Sequence, residues 1–279
     1  MTIALVTDSN AQLPQQLVRR LGATVVPITV TIDGVDHLEG VDLDVADAYR
    51  ALSRPGVEIA TAAPSPGRLI DVYTSLAADG ADEILSVHVG GELSATVNNA
   101  RLAAREVEVE VEVVDTGLAS FGVGCCAWEA ADTLRDGAGL AEAAAAAHRT
   151  AGRIGSVFIV QAIALARRGG RYGDRLDDAT DGIPVLSYCG GDLDVVGMVD
   201  DVQEAAAVMA DFALDWGTHL RVALATADPA TAPIEAAMEA RLVDAPSLDE
   251  IVHYTVGPSV AAHTGADTAG LFVYSRTRD

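Results

Sequence analysis

Apolar residues along this chain come in short runs that turn residues interrupt, and the runs alternate between strand and helix spacing. Residues 2–7 form a β-branched run that predicts a strand, and residues 14–21 follow as a short helix with Pro14 in its first turn. A second extended run covers residues 24–32, and residues 44–53 again have helical spacing. This alternation predicts an α/β arrangement.

The middle of the first half contains a proline-rich segment followed by a strongly apolar one. Residues 61–68 carry two prolines, so we predict a loop there that leads into a helix at about residues 66–78. Residues 83–89 form a nearly continuous apolar run, which is typical of a parallel strand buried on both faces. A glycine pair ends that run, and Ser94 is the predicted cap of a helix that extends to about residue 105.

The remaining pattern keeps the same alternation to the end of the chain. Residues 106–114 alternate glutamate and valine, which predicts a strand with one charged face, and a glycine pair at 190–191 predicts a hairpin. The other predicted strands are at residues 154–160, 183–188, 219–226, 249–256 and 270–275. A long helix is predicted to begin at residues 117–124, and further helices are predicted at 138–151, 161–167, 202–216 and 229–243.

The length of 279 residues exceeds the usual size of a single core, and helix gives way to strand near residue 153. We therefore predict two α/β domains. The N-terminal domain, residues 1–153, has a mostly parallel sheet, and the C-terminal domain, residues 154–279, has a mixed sheet.

Composition and net charge argue against several classes of location and partner. No stretch approaches the roughly 20 apolar residues of a membrane span, and the N-terminus lacks the basic region of a secretory signal. Cys125, Cys126 and Cys189 are an odd number of cysteines and fit a reduced, cytoplasmic setting as small core residues. The net charge of −23 argues against nucleic acid or an anionic membrane surface as a partner.

The chemistry of several common site types is excluded by the residues present. All 18 basic residues are arginine, so no lysine is available for a P-loop, a Schiff base or pyridoxal phosphate. The six histidines and three cysteines have no metal-ligand spacing, so we predict no metal site. Neither GxSxG nor GxGxxG occurs at the expected places, which argues against a nucleophile elbow and a nicotinamide cofactor.

Small polar residues, most of them with a hydroxyl group, lie after or within three predicted strands or loops, at places where open α/β sheets bind ligands. They are Asp8 and Ser9 after the first strand, Thr61 in the proline-containing loop, and Ser94 with Thr96 after Gly90 and Gly91. Such hydroxyls and helix N-termini favour a bound carboxylate or phosphate. Each residue is also explained by capping or turn formation without a ligand.

Two further segments of the second half are candidates. ARRGGRYG at 166–173 places three arginines around a glycine pair, which suits a carboxylate, a phosphoryl group or an acidic partner as well as a solvated turn. AAHTG at 261–265 contains His263 and Thr264, and a single histidine is structural more often than catalytic.

The motifs in their order resemble the DegV family over nearly the whole chain. The matching segments are VTDSNAQLP at 6–14, VVPITVTIDG at 25–34, TAAPSPG at 61–67, LSATVNNA at 93–100, VVDTGLASFGVG at 113–124, ARRGGR at 166–171 and AAHTG at 261–265. The resemblance implies two α/β domains with an apolar tunnel between them that holds a long-chain fatty acid.

The same resemblance implies roles for individual residues. Thr61 and Ser94 would bond the carboxylate, and Arg171 and His263 would lie near the head group. A partner fatty acid kinase would phosphorylate the bound acid to an acyl phosphate, so the chain itself would be a carrier with no catalytic residue and no cofactor besides its ligand.

The chain departs from the family pattern at several hydroxyl positions. Alanine or glycine stands at Ala62, Ala63, Gly90, Gly91 and Ala95, so the backbone amides of the two glycines become candidate anchors. Two alternatives stay open beside the carrier. One is a hydrolase or acyltransferase that uses Ser94, His263 and Asp8, and the other is a protein that binds a different small ligand.

Overall fold

The computed structural model describes residues 1–160, 182–189, 192–227, 231–265 and 268–276. The chain forms two compact units. The first combines Met1–Asp47 with Gly56–Gly152, and the second combines Ala48–Pro55 with Arg153–Asp279. That residues 1–153 and residues 154–279 each fold as one domain stays a prediction.

The first unit is built on a parallel sheet in the order β2-β1-β6-β7, which confirms the predicted parallel α/β class. Strand β1 pairs in parallel with β2 on one side and with β6 on the other, and β6 pairs in parallel with β7. The strands are β1 (Ile3–Asp8), β2 (Ala23–Val26), β6 (Glu83–His88) and β7 (Glu110–Asp115). The central position of β6 explains its nearly continuous apolar run, since both of its faces are covered.

A small antiparallel sheet in the order β4-β3-β5 completes the strands of this unit. Its members are β3 (Thr29–Ile32), β4 (Val35–Leu38) and β5 (Ile59–Ala62). The extended run predicted at 24–32 is confirmed, and it divides near Pro27 into β2 and β3, which belong to different sheets. The loop predicted from residue 61 is wrong at its start, because Thr61 pairs with Val30 before the first proline is reached.

Helices pack against the parallel sheet and close the core of the first unit. They are α1 (Gln15–Leu21), α3 (Pro66–Ala78), α4 (Thr96–Ala104), α5 (Phe121–Arg135) and α6 (Leu140–Ala151). A further helix, α2 (Val45–Leu52), is divided between the two units. The prediction for α3 is confirmed, and Ser65 caps it by accepting a hydrogen bond from the Arg68 amide. Leu69, Tyr73 and Ile84 are fully buried in this core.

The second unit contains the predicted mixed sheet, and its strand order is β10-β9-β8-β13-β11-β12. Its strands are β8 (Gly155–Val160), β9 (Ile183–Cys189), β10 (Asp192–Val199), β11 (Leu220–Thr226), β12 (Leu248–Thr255) and β13 (Thr268–Ser275). Strands β9 and β10 pair antiparallel on either side of the glycine pair, which confirms the hairpin. The helix predicted at 161–167 lies outside the described residues.

Helices α7 (Val202–Leu214), α8 (Ala232–Leu242) and α9 (Pro258–Thr264) are described in the second unit, and α9 was not predicted. Its seven residues are too few for the helical period to stand out in the sequence. None of the helices in the described ranges is long and apolar enough to cross a bilayer.

Candidate functional site

The carboxyl ends of β1 and β6 lie side by side, and Asp8 is the polar centre of this edge. Its side chain has no exposed surface. Oδ1 accepts a hydrogen bond from the Asn10 amide, and Oδ2 accepts hydrogen bonds from the Val89 amide and from His88 Nδ1. Asp8 therefore uses both oxygens within the protein, and it serves the site as a support for the backbone.

A run of buried polar side chains continues from Asp8 into the core. His88 Nε2 lies 2.7 Å from Ser86 Oγ, and Ser86 Oγ lies 2.8 Å from the Tyr73 hydroxyl. None of these side chains is exposed. We call Asp8, His88, Ser86 and Tyr73 the Asp8 network. Sequence reasoning missed it, although Ser86 and His88 are two positions apart in a strand and thus share a face.

Burial raises the pKa of the Tyr73 phenol to about 12, and its hydrogen bond with Ser86 opposes the shift only in part. The folded state therefore favours the neutral phenol. A group whose pKa is raised on folding stabilises the protein fully below its unfolded pKa, and that contribution is lost as the pH rises through the folded value.

We expect Tyr73 to ionise only as the pH approaches about 12, and the stability to fall between about pH 10 and 12. Absorbance titration of phenolate, with chemical unfolding at each pH, measures both effects. Tyr73→Phe should remove the late phenolate step and flatten that part of the stability curve. Unchanged curves in the variant would contradict this.

Ser9 is committed to contacts inside the protein. Its hydroxyl donates to Glu39 Oε2, and its oxygen accepts a hydrogen bond from the Ile28 amide. Glu39 is itself buried, with 6% of its surface exposed. The single hydroxyl proton of Ser9 is thus already used, so Ser9 ties β1 to the Pro27 segment. Sequence reasoning missed Glu39, because its partner is 30 residues away.

Ser94 lies in the turn that leads into α4. Its amide donates to the Gly90 carbonyl, and its Oγ lies 2.8 Å from Thr96 Oγ1 while it accepts a 3.3 Å hydrogen bond from the Thr96 amide. The N-cap position is Ala95, so Ser94 contacts the first amide of the helix from one residue farther out than predicted. Thr96 is fully buried, whereas Ser94 is half-buried.

Thr61 belongs to β5, where it is half-buried and pairs with Val30. Three residues later, the Pro64 carbonyl accepts a 2.8 Å hydrogen bond from Asn99 Nδ2 of α4. This bond ties the segment that contains Thr61 to the helix that follows Ser94. The structure thus joins two of the predicted site segments by a contact that the sequence does not reveal.

Gly90 and Gly91 have a packing role that differs from the predicted one. The Gly90 amide donates to the Leu118 carbonyl, and the Gly91 amide donates to Asp115 Oδ1. A Cβ atom at Gly90 would lie 2.8 Å from the Gly117 carbonyl carbon, and one at Gly91 would lie 2.7 Å from Asp115 Oδ2. Both amides have acceptors within the protein, so we give them no part in anchoring a ligand.

Gly90→Ala is therefore expected to cost about 2–3 kcal/mol of unfolding free energy, because the new methyl group meets rigid backbone. Gly67→Ala in α3 is the matched control. There the nearest atom is 3.9 Å from the added Cβ, so the change should stabilise the helix by about 0.5–1 kcal/mol. Urea unfolding of both variants measures the difference, and equal stabilities would refute the packing role.

The predicted residues of the second half are described only in part. Arg171 and the rest of the arginine turn lie outside the described residues. His263 and Thr264 are half-buried at the end of α9 in the second unit, where Thr264 Oγ1 donates to the Val260 carbonyl. Within the described ranges, no group of three acidic, histidine or cysteine side chains is arranged to hold a metal ion.

Known proteins match the sequence of this chain along nearly its whole length. Residues 2–276 match the sequence model of the family described as "Uncharacterised protein, DegV family". A DegV domain-containing protein of Streptomyces coelicolor is 35% identical over 280 residues, covering 98% of this chain and 99% of the relative. The chain belongs to the DegV family.

Solved structures of DegV proteins share the fold. A DegV family protein from Thermus thermophilus, described by its fatty acid binding, is 31% identical and superimposes with a TM-score of 0.87 over 99% of this chain and 100% of that one. DegV of Bacillus subtilis, described as a fatty acid binding protein, covers 99% and 100% with a TM-score of 0.84 at 21% identity. DegV fatty-acid-binding proteins are thus the structural neighbours of this chain.

Proposed function

We propose that this DegV protein binds a long-chain fatty acid and anchors its carboxyl group through the hydroxyls of Thr61 and Ser94. The observation that carries the proposal is the match along the whole chain to the Thermus thermophilus protein, at 31% identity and a TM-score of 0.87. That relative is described by its fatty acid binding. We place the head group at the polar edge of the first unit, where β1 and β6 end.

The Ser94 hydroxyl is suited to donate to a carboxylate. When Thr96 Oγ1 and the Thr96 amide both donate to Ser94 Oγ, the proton of Ser94 is left for a ligand. The adjacent N-terminus of α4 favours negative charge. Buried Thr96 then supports Ser94 and does not itself contact the acid. Asp8 and Ser9 use their polar groups within the protein, so we do not propose them as anchors, and Thr61 is proposed beside Ser94 from its place in the DegV family pattern.

Affinity and position come from different parts of the ligand. Each buried methylene of an acyl chain contributes about 0.8 kcal/mol, whereas hydroxyl donors fix the head group. The alanines at positions 62, 63 and 95 leave few side-chain donors at this edge. We therefore expect affinity for the tail to dominate, and the two hydroxyls to determine the preference for an acid.

A partner kinase completes the proposal. A carrier of this kind would present the carboxylate to a fatty acid kinase, which would form the acyl phosphate, and Arg171 and His263 would assist docking or transfer. The protein would have no catalytic residue or cofactor of its own. A cytoplasmic location fits this role, and Cys125, Cys126 and Cys189 are free thiols.

Mass spectrometry of the denatured protein tests the binding proposal. Protein purified from a bacterial host is expected to release a stoichiometric long-chain acid, and delipidated protein is expected to take up labelled palmitate or oleate. Protein that is empty as purified and takes up neither acid would overturn the carrier function.

The contacts of Asp8 do not favour the hydrolase alternative. Its carboxylate bonds His88 in the core and is not available as the acid of a set with Ser94 and His263. Turnover of p-nitrophenyl acyl esters that Ser94→Ala abolishes would nevertheless establish an enzyme. A binder of a different ligand would show a larger thermal shift with that ligand than with palmitate.

A further inference from the structure

The Asp8 network has a fixed direction of hydrogen bonding. A carboxylate only accepts hydrogen bonds, so His88 Nδ1 must carry the proton that Asp8 Oδ2 accepts. Among the described residues, Ser86 is the sole partner of the Tyr73 hydroxyl, so the buried Tyr73 proton has an acceptor only when that hydroxyl donates to Ser86. In this arrangement Ser86 donates to His88 Nε2, and all the bonds run in one direction from Tyr73 to Asp8.

The end of this run at Asp8 is connected to the turn that contains Ser94. Asp8 Oδ2 accepts from the Val89 amide as well as from His88, so it holds the chain directly before Gly90. The Gly90 carbonyl in turn accepts hydrogen bonds from the Leu93 and Ser94 amides, at 2.9 and 3.0 Å. Asp8 therefore holds the backbone of Ser94 through Val89 and Gly90, which are consecutive residues.

The other end is connected to the segment that contains Thr61. Tyr73 lies in α3, which begins directly after the 61–65 segment, and its hydroxyl joins α3 to β6 through Ser86. The Pro64 carbonyl of that segment is held by Asn99 of α4. The network thus holds the chain before Gly90 to β1, and holds α3, which follows the 61–65 segment, to β6.

We propose that the Asp8 network positions the carboxylate anchors, and that the proton on His88 Nδ1 is the group on which this positioning depends. The proposal rests on the proposed function, since it concerns the same head-group site. His88, Ser86 and Tyr73 are positioning residues, because their complete burial keeps them from any ligand. Sites that need a defined donor geometry require such support behind the contacting groups.

Two substitutions of His88 separate positioning from simple stability. The amide nitrogen of asparagine lies where Nδ1 lies in histidine, so His88→Asn keeps a donor for Asp8 and loses the contact with Ser86. His88→Gln places its amide near the Nε2 position and loses the donor to Asp8. Both substitutions remove the ring, so both should lower the melting temperature.

The measurement is the ratio of affinities for palmitate and hexadecanol, which share a tail and differ in the head group. Wild-type protein and His88→Asn are expected to prefer the acid. His88→Gln should lose that preference by about tenfold while hexadecanol affinity stays the same, whereas Ser86→Ala keeps the Nδ1 donor to Asp8 and should retain the preference. Thr150→Val is the matched control, because it removes a buried hydroxyl bonded to the Ala146 carbonyl, away from the network.

Equal acid-to-alcohol ratios in all folded variants would overturn the positioning role and leave the network a stability element. If both His88 variants fail to fold, nitrogen-15 NMR of the wild-type imidazole decides the question. The His88 ring should show a proton on Nδ1, and the Nε2–H tautomer would refute the proposal. A wild-type protein that binds neither ligand would instead show that the proposed function has failed, and the inference with it.

Discussion

Replacing Thr61 and Ser94 together by alanine is expected to weaken palmitate binding by about 100-fold or more, while hexadecanol binding changes little. Each hydroxyl would donate to a charged carboxylate, and such hydrogen bonds contribute about 1.5–3 kcal/mol each. The tail contacts remain in the variant, so the loss should be confined to the acid. Displacement of a fluorescent fatty acid by either ligand measures both affinities.

The control for this pair is Thr74→Ala with Ser75→Ala. It removes one threonine and one serine hydroxyl from exposed positions on α3 of the same unit. Palmitate affinity in the control should equal that of the wild type. If the Thr61 and Ser94 variant also binds palmitate as tightly as the wild type, the carboxyl group is anchored elsewhere.

Asp8→Asn is expected to lower the unfolding free energy by about 2–4 kcal/mol, the largest single-residue effect on stability that we predict. The two oxygens of Asp8 accept three hydrogen bonds, from the Asn10 amide, the Val89 amide and His88 Nδ1. An asparagine side chain replaces one oxygen by a donor. Whichever oxygen is lost, the new NH₂ group faces an amide that also donates, in a fully buried site.

Urea unfolding measures the effect, with Asp79→Asn as the control. Asp79 follows α3 at an exposed position, so its substitution should change the free energy by less than about 0.5 kcal/mol. Equal unfolding midpoints for the two variants would show that the Asp8 carboxylate contributes no more than a surface charge. Asp8→Asn should also reduce the palmitate preference, since the Val89 amide loses its fixed acceptor.

The elements with strong local signals could be predicted from the sequence. A nearly continuous apolar run indicates strand β6, and Ser65 followed by a proline and by helical spacing indicates α3. Strand β5 could not be found in this way, because only four residues pair and their partner β3 lies about 30 residues earlier. Pro27 divides one apparent strand because the two halves pair with different neighbours, which no local pattern contains.

The candidate site shows the same division between local and long-range information. Hydroxyl residues after strands are visible in the sequence, and so are Gly90 and Gly91. What each group is bonded to is decided by partners far along the chain, such as His88 for Asp8 at a separation of 80 residues. The sequence therefore indicates where a ligand would be held, and the contacts decide which of the nearby groups still have a donor to offer.

Carbon-13 NMR of palmitate labelled at its carboxyl carbon tests the central claim most directly. The wild-type protein is expected to give one bound resonance, separate from that of free palmitate. That resonance should shift in Ser94→Ala and in Thr61→Ala, and stay in place in the control with Thr74 and Ser75 replaced. A wild type without a bound resonance, or a bound resonance that neither Ser94→Ala nor Thr61→Ala moves, would contradict anchoring of a fatty acid by these two hydroxyls.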